Sequence, residues 1–166
     1  MEGPQRCLGL KQVFAILGIL SGASIFVSFA ALKNVNAALW GLLSGIFAAI
    51  VLNLHINYRR RVLHLKYTPE SLRIVKLCGL VLSIVTLTAS IVYFILMAVY
   101  HQGYKLEGNG YAPAAIFALL ALKWTVMMFF EGRKYQRFLV ASATEGTPIV
   151  NGGPTSPPPP YEAIKP

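Results

Sequence analysis

The chain of 166 residues contains no aspartate, and its six acidic residues are all glutamate. None of them falls inside a long apolar run. Catalysis by paired carboxylates, intramembrane aspartyl proteolysis and a carboxylate relay within a membrane therefore lose the residues they need. A Gly-x-x-x-x-Gly-Lys phosphate loop, a His-Glu-x-x-His pair and a Cys-x-x-Cys pair are also missing, so the sequence points away from an enzyme. No Asn-x-Ser/Thr sequon occurs, so no N-glycan is expected. The first apolar run lacks a basic leader and a cleavable small-residue site, and so reads as a permanent span rather than a signal peptide. Of the two cysteines, Cys7 and Cys78, neither lies where oxidation is expected, and a disulfide is not predicted. Cys7 is open either to palmitoylation or to remaining a free thiol.

What is present is hydrophobic length, with 55% of the residues apolar. Four runs, 13–31, 37–56, 77–100 and 112–130, are each long enough to cross a bilayer at about 1.5 Å rise per residue. They are continuously apolar and do not alternate with period two, which favours helices over a barrel. The fold expected is an all-α membrane protein, a four-helix transmembrane bundle. Its flanks are an N-terminus of 1–12, a basic loop of 57–76, a loop of 101–111 and a tail of 131–166. Of the fifteen Lys and Arg residues, twelve lie in the first, second and last of these flanks. Lys33 and Lys105 lie opposite, and Lys123 lies inside the fourth run. The positive-inside rule then places both termini and the basic loop in the cytosol. The net charge of +9 is read as topology signal and attraction to anionic lipid, with no nucleic-acid partner.

Two short pieces recur, Gly18-Ile-Leu-Ser-Gly22 and Gly41-Leu-Leu-Ser-Gly45. Glycines four apart share a helix face and admit a close backbone, either within the bundle or in a homo-oligomer. Lys123 is the single charge in its run, and a cation at that depth costs at least ~2.5–3.5 kcal/mol on insertion scales. It is expected to face a bundle interior or a ligand. His55 lies near the end of the second run, with Tyr58 at i+3 and Val51 and Ala48 at i−4 and i−7, so polar groups share a face with small walls. His101 opens the 101–111 loop. A lone interfacial histidine usually just hydrogen-bonds. Histidines combined with a buried cation and nineteen aromatic residues suit haem, whose iron takes imidazole and whose propionates take cations.

Three pieces, His101-Gln102-Gly103, Lys123-Trp124-Thr125 and Phe129-Phe130-Glu131-Gly132-Arg133-Lys134-Tyr135, resemble the haem-responsive-gene (HRG) family of four-span haem transporters. Upstream, Leu8-Gly9-Leu10, Gly22-x-Ser24-Ile25-Phe26 and Val51-Leu52 followed by His55 and Tyr58 fit the same family, so the resemblance covers about 8–138. It implies haem as the transported ligand and His55 and His101 as metal ligands. Through an aromatic-Ala-Arg-Lys-Tyr motif it adds Arg133, Lys134 and Tyr135 to the cofactor-binding set, beside Lys123. Here Glu131-Gly132 replaces the single Ala, which rotates Phe130 by about 100° about the helix. Gly132 is a candidate helix end. The implied route runs from His101 past His55 to the basic motif, toward the cytosol across an endolysosomal or plasma membrane. The Arg/Lys cluster also reads as a membrane-surface anchor.

From Ala141 the composition turns to Gly, Pro, Ser and Thr, and a disordered tail is expected. Pro158, Pro159 and Tyr161 complete a Pro-Pro-x-Tyr ligand for WW-domain ubiquitin ligases. Tyr161 and Ile164 frame a Tyr-x-x-apolar signal for clathrin adaptors, an endosomal or lysosomal address. The alternative is a tetraspan adaptor that recruits such ligases and uses the bundle only as an anchor.

Overall fold

The structure, a computed structural model, describes residues 3–145 apart from 61, 107 and 109. The side chain of Cys7 and the tail motifs from Pro158 to Ile164 lie outside the described residues. Four long helices, α1 (Gly3–Ala31), α2 (Val35–Arg59), α4 (Pro69–Val99) and α5 (Tyr111–Glu145), are joined by turns and the four-residue helix α3 (Leu63–Lys66). Each long helix carries a stretch long and apolar enough to cross a membrane, which makes this a multi-pass membrane protein.

Local chemistry sets the starts and stops. Asn34 caps α2 by accepting from the Ala37 amide at 3.1 Å. Thr68 caps α4 by accepting from the Ser71 amide at 3.1 Å, with Pro69 in the first turn, where its missing N–H costs nothing. The helices α1 and α4 end alike. Lys33 (φ 57°) donates to Ala30 and Asn34 donates to Phe29, while His101 (φ 45°) donates to Ala98 and Gln102 donates to Met97. These are Schellman closures with a left-handed residue where glycine is usual. Asn34 also donates through Nδ2 to the Gly110 carbonyl at 3.2 Å, tying the α1–α2 turn to the α4–α5 loop.

The helices stand in the spatial order α1, α2, α5, α4, with α2 and α5 central. Lipid supplies no hydrophobic drive between apolar helices, so small residues mark each seam. On α1 and α2 a Cβ at Gly22 would lie 2.6 Å from the Gly45 amide nitrogen, and one at Gly41 would overlap Ile25. The paired Gly-x-x-x-Gly pieces are thus used inside the bundle. Between α2 and α5 the fit is made by fully buried Ala48, Val51, Ala114, Ala118 and Ala121. Between α4 and α5 the seam is small and polar: Ser83 donates to the Thr125 hydroxyl at 3.1 Å, and Ser90 donates to the Ala115 carbonyl at 3.1 Å.

The helices run past the hydrophobic runs that announce them, since α1 begins at Gly3, α4 at Pro69, and α5 continues to Glu145. Gly132 does not end α5. A Cβ there would lie 3.2 Å from the Lys76 backbone nitrogen, so this glycine serves the approach of α4. Glu131 is correspondingly inside a spanning helix, not beyond it, and only 6% exposed.

Candidate functional site

The buried polar side chains Gln12, His55, Asn57 and Glu131 lie together at the basic end of the bundle, where α1 begins and α5 ends. His55, on the last full turn of α2, is 0% exposed, and its Nδ1 shares a 2.8 Å hydrogen bond with the hydroxyl of Tyr135, itself 0% exposed. Its other ring nitrogen, Nε2, is buried with no hydrogen-bond partner among the described residues. An imidazole held at one nitrogen and empty at the other is the arrangement found in metal-ligating histidines, whose second nitrogen is fixed by an outer partner. The packing follows from sequence spacing: Val51, Leu54 and His55 lie on the buried side of α2, while Met128, Glu131, Tyr135 and Leu139 repeat at helical spacing along α5.

Aromatic rings surround this pair. Tyr58 lies tilted over Tyr135 at 4.7 Å between centroids and meets Phe138 edge-on at 5.5 Å. Lys134 places its ammonium 5.9 Å from the ring centroids of both Tyr58 and Tyr135, within cation–π range. Arg133 is exposed, as is Phe130, at 58%. Phe130 thus faces outward on α5 while Tyr135 faces inward.

Residues that the sequence reading passed over close the cluster on the α1 side. Lys11 donates to Glu131 Oε1 at 2.6 Å, and the carboxylate is 8% exposed against 41% for the lysine. Arg59 donates to the Gln12 side-chain Oε1 at 2.8 Å one residue further on. Both contacts fasten the start of α1 across α2 and α5. A usable signal was present, because Glu131 is the only glutamate bordering an apolar run and its first turn inward is apolar. A carboxylate so placed needs a cation.

The remaining predicted residues lie elsewhere. His101 is exposed at the opposite end, and the rise from Tyr111 to Tyr135 along α5 is roughly 36 Å. The two histidines therefore lie too far apart to ligate one iron together. The left-handed backbone of His101 costs more for an imidazole than for glycine, although Lys33 bears the same cost at the matching turn. Lys123 faces outward from the bundle, not into its interior, which leaves the ligand side of the expectation, and it lines a groove of about 310 Å³ with Phe14, Leu17, Ser21 and Trp124. Among the described residues no group of three or more His, Cys, Asp or Glu side chains could hold a metal ion.

The fold and this cluster define a multi-pass membrane protein with a buried histidine–tyrosine centre at one end and cations around it. Residues 72–124, about a third of the chain, match the family model described as haem-transporter, endosomal/lysosomal, haem-responsive gene. The match takes in His101, Lys123 and Trp124 and agrees with the resemblance of the motifs. No curated protein and no solved structure matches the chain.

The Lys11–Glu131 pair yields a stability prediction. Lys11→Met leaves a buried carboxylate without its cation and should cost about 1–3 kcal/mol, less than a fully buried pair because the lysine is partly exposed. Adding Glu131→Leu should recover most of that loss. Thermal unfolding of the purified protein in detergent, followed by circular dichroism, measures both. A double variant no more stable than Lys11→Met alone would mean that the pair does not fasten α1.

Proposed function

We propose that the chain moves haem across an endolysosomal or plasma membrane toward the cytosol, with the basic end on the cytosolic side. The observation that carries this reading is His55, buried, held at Nδ1 by Tyr135 and free at Nε2. With Nδ1–H donating to the tyrosine oxygen, Nε2 presents a lone pair to the iron. Tyr135 then acts through His55 and does not touch the haem, which revises the direct contact that the motif implies. The match of residues 72–124 to a haem-transporter family supports the same cargo.

In this mechanism haem is first engaged at His101, on the exposed turn after α4. It is next held at His55, which must be uncovered for the cargo to reach it, and then leaves past Lys134 and Arg133, whose cations pair with propionates. The Tyr58 and Phe138 rings offer flat apolar walls there. No nucleotide-binding motif supplies energy, so net movement follows a haem gradient or a cytosolic acceptor. Nothing in the cluster acts chemically on the cargo.

Expressed at equal levels in a haem-auxotrophic host, the His55→Ala/His101→Ala chain should lose most haem-dependent growth that the unaltered chain supports. Undiminished growth removes haem transport by this route. For the compartment, the proposal is endosome or lysosome, addressed by Pro158, Pro159, Tyr161 and Ile164 in the tail. Imaging of Tyr161→Ala should find it accumulated at the cell surface, and an unchanged distribution rules the tail out as the address.

A further inference from the structure

The α2–α5 seam at the centre of the bundle is filled by small buried side chains. Ala48, Val51, Ala114, Ala118 and Ala121 are all 0% exposed, and they close the α2–α5 seam at van der Waals contact. The open space lies to one side. There α1 and α5 run antiparallel, with Lys11 against Glu131 and, seven residues inward on each helix, Gly18 against the Trp124 indole. The absent side chain of Gly18 admits the Trp124 ring, and beside that contact a groove is lined by Phe14, Leu17, Ser21, Leu120 and Lys123.

Lys123 stands at the mouth of this groove. It is about 18 Å along α5 from Tyr111, well inside a hydrocarbon layer of about 30 Å. Among the described residues it has no carboxylate partner, and its ammonium is met only by the rings of Phe14 at 5.9 Å and Trp124 at 5.0 Å. An ammonium facing lipid at this depth is costly, and an anion carrying its own apolar body would offset the desolvation of both charges. Rings beside the ammonium favour a flat aromatic body over a flexible acyl chain, since stacked rings lose less rotamer freedom on binding.

We infer that the α1/α5 groove is a laterally open seat for a porphyrin propionate, with Lys123 as its counter-ion, so that the cargo reaches the bundle from within the lipid. The inference rests on the haem reading but adds a lipid-side route that the two histidines do not require. Metal-free protoporphyrin isolates it, because that molecule has no iron for an imidazole to bind.

The test uses the full chain in lipid nanodiscs, titrated with metal-free protoporphyrin and followed by tryptophan quenching. Lys123→Ala should weaken binding about tenfold, as expected for loss of one charge-assisted contact, and Lys123→Arg should restore it. Ser21→Phe keeps the cation but fills the groove, and it should weaken binding by a similar factor. The dimethyl ester, which lacks the carboxylates, should bind the unaltered chain about tenfold more weakly than the diacid. Binding by either the Lys123→Ala or the Ser21→Phe chain that equals that of the unaltered chain, equal binding of ester and diacid, or displacement of the porphyrin by an equal concentration of palmitate would overturn the inference. If that happens while haemin still binds, only the lateral seat falls. If the unaltered chain binds neither haemin nor protoporphyrin, the haem reading falls with it.

Discussion

In a bilayer the exclusion of water does nothing to press one apolar helix against another, so the bundle depends on how closely its backbones approach. The tightest approaches are made where a side chain is absent or nearly so. Gly22 meets Gly45, Gly79 meets Phe129, and an alanine column on α5 meets α2. These contacts place α2 and α5 at the centre and leave α1 and α4 with one broad face each toward lipid, where their exposed leucines, isoleucines and valines lie. The same close fit fills the α2–α5 seam with small side chains. Functional groups are therefore pushed to the ends of the bundle and to the groove beside α1.

At the basic end the constraint is electrostatic. Glu131 is nearly enclosed and is matched by Lys11, and the contact draws α1 over the His55–Tyr135 pair. A carboxylate in that place is costly unless paired, which makes the start of α1 part of the site and not a separate anchor. The Arg59–Gln12 bond reinforces the closure from α2. His55 is thus enclosed by α1, α2 and α5 side chains while its Nε2 stays free, an arrangement that a purely structural histidine would not need.

Hydrophobic length was enough to read four helices from the sequence, because it is a local property. The close approach at Gly22 and Gly45 was legible for the same reason, as spacing on one helix face. The meeting of His55 with Tyr135 was not, although both residues were singled out. They are 80 positions apart, and only the α2–α5 crossing brings them together. The helix boundaries were misjudged where polar residues continue a helix beyond the apolar run. Glu131 and Gly132 looked like an exit from the membrane, yet one is neutralised by Lys11 and the other admits the Lys76 backbone. Of the two surroundings expected for Lys123, a bundle interior or a ligand, the first is not found, because which way a side chain faces depends on the helices packed beside it.

The central claim is that His55 Nε2 is the nitrogen that takes the iron of haem. Titrating the purified full chain with haemin and recording the Soret band tests it most directly. Imidazole ligation should shift the band on binding in the unaltered protein, and His55→Ala should abolish that shift or weaken binding by at least about tenfold. A His55→Ala chain whose Soret band and affinity equal those of the unaltered protein would contradict the account.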